Sequence, residues 1–373
     1  MLIDAIGDNS GGAERFAVGL AVALPRERYD VTMCVTRKFS GELPRNLTDA
    51  GVRILSLGRG EDFRPQAFRK LIRYLRRERV DVLHAHMFGS NVWGTLLGRL
   101  CRVPVIVAHE QTWSYEANPV RRELDRHLIG RGASAFVAVS RADADRMVTI
   151  EKIPREKIVT IPNAYIPRSP GPAGDLRAEL GVDPGAPLIV TGAILRPQKA
   201  LSVLIDAFAL VAQRLPSVHL AIAGMGPCEA ELQERAIEVG AADRIHFLGL
   251  RTDMDAILDA GDLAAMSSDF EGTPLFALEC MAHRTPLVST DVGGIRDILD
   301  DGKSVLLAPR RDPRALSERL ERALLDAGLR ESLADAAHDR LSELTIERIV
   351  VRFESLYDRL LVSETGQCTR RCR

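Results

Sequence analysis

Apolar residues along the chain fall into two alternating patterns: short continuous runs, and longer stretches with an apolar residue every three or four positions. The short runs predict buried strands, and the longer stretches predict amphipathic helices. Strands of this kind separated by helices are typical of a parallel sheet covered on both faces. In the first half the predicted strands are residues 2–6, 31–35, 53–57, 82–85, 105–108 and 135–139, and the predicted helices are 13–24, 65–79, 90–100 and 141–148.

The alternation is interrupted once and then begins again. The stretch 162–174 holds four prolines and two glycines, which favours a linker because neither a helix nor a central strand accommodates them. The second series of predicted strands is 188–191, 219–223, 245–248, 263–265, 287–289 and 305–307.

The two series of alternating strands and helices are of similar length. They predict an α/β chain of two doubly wound Rossmann-like domains that face a cleft. We assign residues 1–166 to an N-terminal domain, 175–345 to a C-terminal domain, 346–361 to a helix that crosses back, and 362–373 to a disordered tail. Ligands of such sheets bind outside the carboxyl ends of the strands, so the cleft is the predicted binding site.

Composition excludes several classes of protein. With 46% hydrophobic and 27% charged residues over 373 positions, the chain has the composition of a globular protein and not of a disordered one. Its 50 Lys and Arg against 51 Asp and Glu exclude a uniformly basic nucleic-acid binder. No apolar run approaches the roughly 18 residues that span a bilayer, and the first residues do not resemble a signal peptide. We therefore expect a cytoplasmic protein.

Charge is unevenly distributed between the two halves. Residues 1–166 carry 26 Lys and Arg and 19 Asp and Glu, a net of +7, and the remaining residues carry a net of −8. The asymmetry indicates an anionic partner for the first half, or compositional drift over a solvated surface. The predicted helix 65–79 carries basic residues opposite an apolar stripe, which is typical of a helix on the anionic inner face of a plasma membrane or of an ordinary solvated helix.

A segment bounded by two glutamates, Glu271 and Glu279, follows a predicted strand of the second half. Thr273 is the predicted N-cap of a helix and Pro274 its first residue, which leaves the amides of Leu275 and its successor open to water or a phosphate. Carboxylates accept hydrogen bonds from sugar hydroxyls, so the segment is a candidate sugar and ribose site. Taken alone, it favours a capped helix with ordinary acids.

Two further loops follow predicted strands of the second half. Arg196 and Lys199 combine a guanidinium with an ammonium group, which suits a diphosphate, although a solvated loop has the same composition. Gly224 begins a Gly-Met-Gly-Pro sequence that favours a simple turn with Pro227 at the start of the next helix.

In the first half, candidate groups lie at the predicted ends of strands. Gly11 and Gly12 precede a helix, where backbone amides either approach an anion or form a tight turn. His86 and His109 follow predicted strands as polar catalytic contacts or as structural histidines. Neither their spacing nor the scattered cysteines indicates a metal. The pair at 253 and 255 opens a predicted helix, where acids interact favourably with the dipole. We therefore expect no metal and no resident cofactor.

These features, in this order, resemble the retaining GT-B glycosyltransferases of family 4, the glycosyl transferases group 1. The marks are the spaced pair Glu271 and Glu279, the loop from Arg196 to Lys199, and the stretches 161–163, 247–249 and 291–294. The resemblance extends from the loop at Gly11 to the last predicted helix. It implies a metal-independent enzyme that transfers a sugar from a UDP-sugar or GDP-sugar, with retention, to a glycan or lipid-linked acceptor in cell-envelope polysaccharide synthesis.

The resemblance also implies roles for particular residues. Arg196 and Lys199 would hold the diphosphate, and their charge would be the main catalytic contribution. Glu279 would bind the ribose and Glu271 the sugar hydroxyls, and His109 would complete the catalytic set. Further implied donor contacts are Gly224, Leu250, Arg251, Gly272, Thr273, Pro274 and Leu275, and the implied acceptor contacts are Gly11, Gly12, His86 and His109.

Two positions depart from the pattern of the family. Its loop usually reads Gly-Arg-Leu-x-Pro-Glu-Lys-Gly, whereas here Ile194 stands at the arginine position and Arg196 lies two residues further on. Its histidine often follows a glutamate, whereas here the stretch reads His109-Glu110-Gln111. Either His109 substitutes for that histidine or Gln111 replaces it. Two other functions therefore stay open, a sugar-nucleotide epimerase of GT-B architecture and a non-catalytic nucleotide-sugar-binding protein.

Overall fold

The computed structural model describes residues 1–7, 11–37, 40, 43–59, 65–111, 118–168 and 174–365. The chain divides into two compact units, the first formed by Met1–Ile166 with Thr345–Arg373 and the second by Pro167–Leu344. The division at residue 166 coincides with the boundary expected from the linker. Residues 169–173 of that linker lie outside the described residues.

In the part of the first unit that the structure describes, seven parallel strands form one sheet in the order β3-β2-β1-β4-β5-β6-β7. The chain runs outward from β1 in one direction and from β4 in the other, as in a doubly wound fold. The sequence analysis missed β7 because its three residues give too short an apolar run. The strands are β1 Leu2–Ile3, β2 Thr32–Val35, β3 Arg53–Ser56, β4 Val82–His86, β5 Val105–Glu110, β6 Ala135–Ala138 and β7 Ile158–Thr160.

Helices cover both faces of this sheet, because successive side chains of each strand alternate between two hydrophobic clusters. Val105 and Val107 of β5 belong to one cluster, and Ile106 and Ala108 to the other. The helices are α1 Gly12–Ala23, α2 Leu43–Asp49, α3 Phe68–Arg77, α4 Phe88–Leu100, α5 Pro119–Glu123, α6 Gly130–Gly132 and α7 Arg141–Thr149, with a π-helical turn at Leu124–Ile129.

The predicted basic helix 65–79 is shorter than expected. Residues Pro65–Ala67 form a 3₁₀ turn, and α3 begins at Phe68 and ends at Arg77. Arg79 has a φ of 49°, a left-handed conformation that a right-handed helix does not contain. The chain therefore leaves the helix before the predicted end.

The second unit repeats the same topology with six described strands in the order β10-β9-β8-β11-β12-β13. Its central neighbours, β8 and β11, correspond to β1 and β4 of the first sheet. The strands are β8 Leu188–Gly192, β9 His219–Ala223, β10 Ile245–Gly249, β11 Leu263–Met266, β12 Leu287–Thr290 and β13 Leu306–Ala308. The helices are α8 Leu176–Leu180, α9 Leu201–Arg214, α10 Glu229–Glu238, α11 Met254–Ala260, α12 Leu275–Ala282, α13 Ile295–Ile298, α14 Pro313–Leu325 and α15 Ala327–Leu341.

The last helix, α16 Ile346–Thr365, returns to the first unit. Phe353, Leu356 and Tyr357 are buried in the cluster that also contains Phe16 of α1, which confirms the predicted helix that crosses back. The tail was predicted too early: residues 362–365 are helical, because the first glycine after the apolar stripe is Gly366. Residues 366–373 lie outside the described part of the chain. No helix in the described ranges is both long and apolar enough to cross a bilayer.

Candidate active site

A polar cluster of the second unit lies where β8 and β11, the two central strands, end. The Nζ of Lys199 lies 2.6 Å from Oε1 of Glu271. The Ser268 hydroxyl donates to the same carboxylate oxygen at 2.6 Å. Lys199 follows β8 and the other two residues follow β11, so the carboxyl ends of adjacent parallel strands bring together groups that are distant in sequence.

The two loops that carry this cluster are fixed to each other by their backbones. The side-chain amide of Gln198 donates to the carbonyl of Phe270 at 2.9 Å, and the amide of Asp269 donates to the carbonyl of Gln198 at 2.9 Å. The Ser267 hydroxyl donates to the carbonyl of Lys199 at 2.9 Å. These bonds hold the two loops, and with them the ammonium and carboxylate groups, in place relative to each other.

Helix α12 begins one residue later than the sequence analysis predicted. Its N-cap is Pro274, not Thr273, and its first helical residue is Leu275. Pro274 has a ψ of 118°, an extended conformation, so the helix turns only after it. The carbonyl of Pro274 accepts the first helical bond, from Leu278 at 3.4 Å. Among the described residues no acceptor contacts the amides of Leu275 and Phe276, so the helix end still presents donors to an anion.

Glu279, the second glutamate of the pair, is buried on α12 and bound by an arginine that the sequence analysis did not consider. Nε and Nη2 of Arg168 lie 2.9 and 2.8 Å from Oε1 of Glu279. The arginine comes from the chain just after the division between the units. Nothing in its sequence context distinguishes it from a solvated linker residue.

Two glycines allow backbone segments of this site to approach one another closely. A Cβ added to Gly294 would lie 1.3 Å from the carbonyl oxygen of Gly272, the residue before Thr273. Gly224 has a φ of 134°, and an added Cβ would lie 1.8 Å from the carbonyl oxygen of Ala193. Both positions require glycine because the neighbouring backbone occupies the space of a side chain. The helix α10 begins at Glu229, so Pro227 lies in the preceding turn and not at the start of the helix as predicted.

The remaining predicted donor residues differ in their surroundings. Arg196 is exposed, and its side chain has no bonded partner within the described ranges. Arg251 is held by two acids, with Nε 2.8 Å from Asp253 and Nη1 2.6 Å from Glu179. These hydrogen bonds raise the pKa of Arg251. Leu250 beside it is exposed.

The predicted acceptor residues belong to the first unit. Gly11 is the N-cap of α1 and Gly12 its first residue, as the glycine loop predicts, but residues 8–10 of that loop lie outside the described residues. His86 and His109 were expected after their strands. They lie inside them instead, because β4 extends to His86 and β5 to Glu110.

A third histidine, His84, joins these two in a buried cluster under α1 and α16. Nε2 of His84 lies 3.2 Å from Nδ1 of His109, and Nδ1 of His84 lies 2.7 Å from the hydroxyl of Tyr357. Nε2 of His109 lies 3.3 Å from the side-chain amide of Gln111. The ring nitrogens of His86 have no hydrogen-bond partner among the described residues. Alternation along a strand places His84 and His86 on one face, a signal that was present in the sequence.

Burial keeps the three imidazoles neutral. It lowers the pKa of His109 to about 3. Burial, followed by repulsion from the neighbouring imidazoles, lowers the pKa of His84 and His86 well below the usual value. Their ligand nitrogens lie within 4.8 Å of one another, a grouping that the spacing of His86 and His109 alone did not indicate.

The backbone around these histidines is strained. Met87 has a φ of 69°, a conformation that costs a non-glycine residue about 1–3 kcal/mol. Its amide donates to the carbonyl of His109 at 2.8 Å. The side-chain amide of Asn91 donates to the same carbonyl at 3.2 Å, and its oxygen accepts from the amide of His109 at 3.1 Å. These bonds fix the ends of β4 and β5 relative to α4.

A buried cluster of acids was also missed. Nη2 of Arg121 lies 3.0 Å from Glu110 at the end of β5, and Nε lies 3.5 Å from Asp125 in the π-helical turn. Burial raises the pKa of Glu110 to about 7 and of Asp125 to about 8, each reinforced by the charge of Glu151. No local sequence pattern indicates this cluster, because its members lie on different elements.

The comparisons with known proteins cover both units. A model of the family described as Glycosyltransferase Family 4 matches residues 10–167, and a model described as Glycosyl transferases group 1 matches residues 186–326. Alpha-D-kanosaminyltransferase from Streptomyces kanamyceticus is 27% identical over 70% of this chain and 73% of its own. D-inositol 3-phosphate glycosyltransferase from Corynebacterium glutamicum is 26% identical over 95% of this chain and 93% of its own.

A similar fold is found among solved structures. The crystal structure of the Anabaena protein HepE in complex with UDP and glucose matches with a TM-score of 0.81 and 20% identity, and covers 95% of this chain and 98% of that one. The two family matches together span most of both units, and each unit has the expected doubly wound sheet. The chain therefore belongs to the group 1 glycosyltransferases of family 4 and has the GT-B fold.

Proposed function

We propose that this glycosyltransferase transfers a sugar from a UDP-sugar or GDP-sugar to a glycan or lipid-linked acceptor in cell-envelope polysaccharide synthesis, with retention and without a metal. The observation that carries the proposal is the group of Lys199, Glu271 and Ser268 at the ends of the central strands, beside the start of α12. The named activities of the relatives and the presence of UDP and UDP-glucose in HepE structures support it. They also lead us to set aside the epimerase and the non-catalytic alternatives.

The donor contacts follow from charge. The ammonium of Lys199 and the amides of Leu275 and Phe276 are donors for the diphosphate, on which negative charge develops as the sugar departs. When Lys199 turns to the phosphate, Glu271 is released to accept hydrogen bonds from sugar hydroxyls. Glu279 binds the ribose hydroxyls in the same way.

The other donor contacts are made by neighbouring loops. Gly224, Gly272, Thr273 and Pro274 bring backbone close to the phosphates and sugar. Leu250 offers an exposed apolar side chain, and Arg251, immobilised by its two acids, offers a fixed backbone; both flank the base. Arg196 is the exposed cation that meets the arriving diphosphate.

The transfer is a front-face substitution. The bond between the anomeric carbon and the donor phosphate oxygen breaks, and the acceptor oxygen bonds to the same face of that carbon. The departing phosphate takes the proton of the acceptor hydroxyl. The acceptor is held by the first unit, through the backbone of Gly11 and Gly12. His86 and His109 are fully buried, so they contribute by positioning this edge of the sheet and not by touching the acceptor.

Calorimetric titration with UDP, GDP and their sugar conjugates tests the donor proposal. We expect saturable binding of one nucleotide series without added metal and unchanged affinity in excess EDTA. Lys199→Ala should weaken binding of the diphosphate, and Arg235→Ala, which removes an arginine paired with Asp206 on the helices α10 and α9, should not. Absence of binding across the whole panel would refute the donor proposal.

We also propose that the enzyme works at the cytoplasmic face of an anionic membrane, through the first unit. Helix α3 exposes five basic residues. Phe68 of α3 stacks on Trp93 of α4 at 4.3 Å. Helix α4 also carries Leu96 and Leu100, which are 44% and 57% accessible. Basic and exposed apolar groups on two helices in contact suit the interface of an anionic bilayer. The basic residues are Arg69, Lys70, Arg73, Arg76 and Arg77.

Flotation with liposomes tests the membrane proposal. Because each basic residue near an anionic surface contributes about 1 kcal/mol, we expect flotation with phosphatidylserine vesicles and little with phosphatidylcholine alone. Substituting Arg73, Arg76 and Arg77 with glutamine should abolish it, and Leu96→Ser with Leu100→Ser should weaken it. Equal flotation on both vesicles would remove the proposal.

A further inference from the structure

The loop after β8 supplies fewer cations to the donor site than its sequence suggests. Ile194, which stands at the position of the family's arginine, is apolar and partly buried. Arg196 precedes the 3₁₀ turn Pro197–Lys199, is exposed, and has no side-chain partner within the described residues. Only Lys199 of this loop contacts the glutamate pair.

Arg168 brings a second cation to the glutamate pair from another part of the second unit. Its Nε and Nη2 both contact Oε1 of Glu279 at 2.9 and 2.8 Å. The arginine side chain is 25% accessible, whereas that of Glu279 is 7% accessible. The guanidinium is therefore seated on the carboxylate that the proposed function assigns to the ribose, and remains open to solvent on one side.

The cations and carboxylates of the site are paired with each other. The carboxylates of Glu271 and Glu279 are each paired with one cation, Lys199 and Arg168 respectively. Both ion pairs would have to exchange partners for a sugar nucleotide to bind, because its hydroxyls need the carboxylates and its phosphates need the cations. A guanidinium donates to phosphate through two parallel hydrogen bonds, so Arg168 is suited to this exchange.

We propose that Arg168 is a substrate-binding residue that contacts the donor diphosphate, in place of the arginine that the loop lacks at Ile194, and so releases Glu279 to the ribose. The inference rests on the proposed donor site. The ribose and the diphosphate are adjacent in a nucleoside diphosphate, so a guanidinium on the ribose carboxylate reaches the phosphates by rotation of its own side chain. The ion pair with Glu279 is then the resting position of Arg168.

Affinities for UDP and uridine, measured on the full chain, test this role. If the wild type prefers guanine nucleotides, GDP and guanosine are used in place of UDP and uridine. Arg168→Ala should weaken UDP binding by about 10- to 100-fold, the loss of a charge-assisted contact, and should leave uridine binding within about threefold of the wild type. Arg168→Lys should recover part of the UDP affinity, because it retains the charge. Arg168→Gln, which keeps a hydrogen-bond donor for Glu279 but no charge, should lose UDP affinity as the alanine variant does.

The outcomes separate this inference from the proposed function. If UDP and uridine weaken by the same factor, or if Arg168→Gln binds UDP as the wild type does, Arg168 only positions Glu279 and the inference is overturned. If the wild type binds neither nucleotide series, the proposed donor site itself fails. Arg235→Ala is the matched control, an ion-paired arginine of the same unit, and should change neither affinity. Thermal unfolding of each variant verifies that it is folded.

Discussion

The two sheets share one strand order, but the polar groups near their central strands differ in burial and in charge. In the second unit, Lys199 and Arg168 each pair with a glutamate and remain partly accessible. In the first unit, His84, His86 and His109 are fully buried and uncharged. One site holds exchangeable charges, and the other holds neutral groups packed against aromatic rings.

The difference shows how one topology serves two purposes. Lys199 and Arg168 are about a quarter accessible, whereas the glutamates they bind are buried. Each cation can therefore turn to a ligand whose hydroxyls replace it on the carboxylate, but a carboxylate left with no partner would be unfavourable. A buried imidazole is neutral because burial disfavours its charged form, and any change in its hydrogen bonds is expensive. We therefore expect substitutions in the second unit to affect activity first, and substitutions in the first unit to affect stability first.

The largest expected effect is on turnover. Lys199→Ala and Glu271→Ala should each lower the transfer rate at least about 100-fold, because each removes a charged contact to the donor in the transition state. Initial rates with the donor selected by calorimetry provide the measurement, and the unfolding midpoint of each variant verifies that it is folded. Near-normal turnover in both variants would show that the ion pair is structural, and the contrast between the two units would be lost.

Much of the second site was predictable because it follows one rule. Lys199 and Glu271 each follow a central strand, and parallel strands end at the same edge of the sheet. Arg168 was not predictable, because it reaches Glu279 from a linker whose path the sequence does not determine. The N-cap was misplaced at Thr273 since the sequence does not reveal that Pro274 is extended.

In the first unit the fold was predictable from the sequence, but the polar site was not. Its sheet and the return of α16 were predictable from apolar periodicity, but its polar clusters were not. Tyr357 meets His84 from α16, far away in sequence, and Arg121 joins Glu110 to Asp125 across separate elements. Such contacts depend on how helices pack, which local patterns do not encode.

The next effect concerns the backbone of the donor site. Gly294→Ala would place a Cβ 1.3 Å from the carbonyl oxygen of Gly272, so the loop before α12 must move. We expect a loss of about 1–3 kcal/mol in unfolding free energy together with weaker nucleotide binding. Chemical denaturation and calorimetry measure the two. Gly185→Ala, where an added Cβ meets nothing within 4 Å, is the control, and equal behaviour of the two variants would contradict the close approach.

A smaller effect is the response of the first unit to acid. Since burial lowers the pKa of the three histidines below 6.5, the unfolded chain takes up more protons there, and stability is lost as the pH falls below about 6.5. Glu110 and Asp125 oppose this loss down to about pH 4, because their folded pKa values are raised. The net change should therefore be shallow between about pH 4 and 6.5.

Removing one imidazole should abolish the dependence of stability on pH between about pH 4 and 6.5, or reverse its sign. His86→Leu takes away one group that binds a proton on unfolding, a change of up to about 1.4 kcal/mol per pH unit. Both tryptophans, Trp93 and Trp113, lie within residues 1–166, so fluorescence during denaturation reports on the first unit. An unaltered slope would mean that His86 is already charged or exposed in the folded protein.

The smallest expected effect lies on the alkaline side. Because burial raises the pKa of Asp125 to about 8 and of Glu110 to about 7, the folded state keeps protons that the unfolded chain has released, and stability falls as the pH rises from about 6.5 to 8. Asp125→Asn removes the group with the higher pKa and should flatten most of this fall. Asp145→Asn, which alters an exposed acid on α7 paired with Arg155, should retain it. If Asp125→Asn shows the same alkaline loss as the wild type, Asp125 is ionised beside Arg121 at neutral pH, and burial does not raise its pKa to about 8.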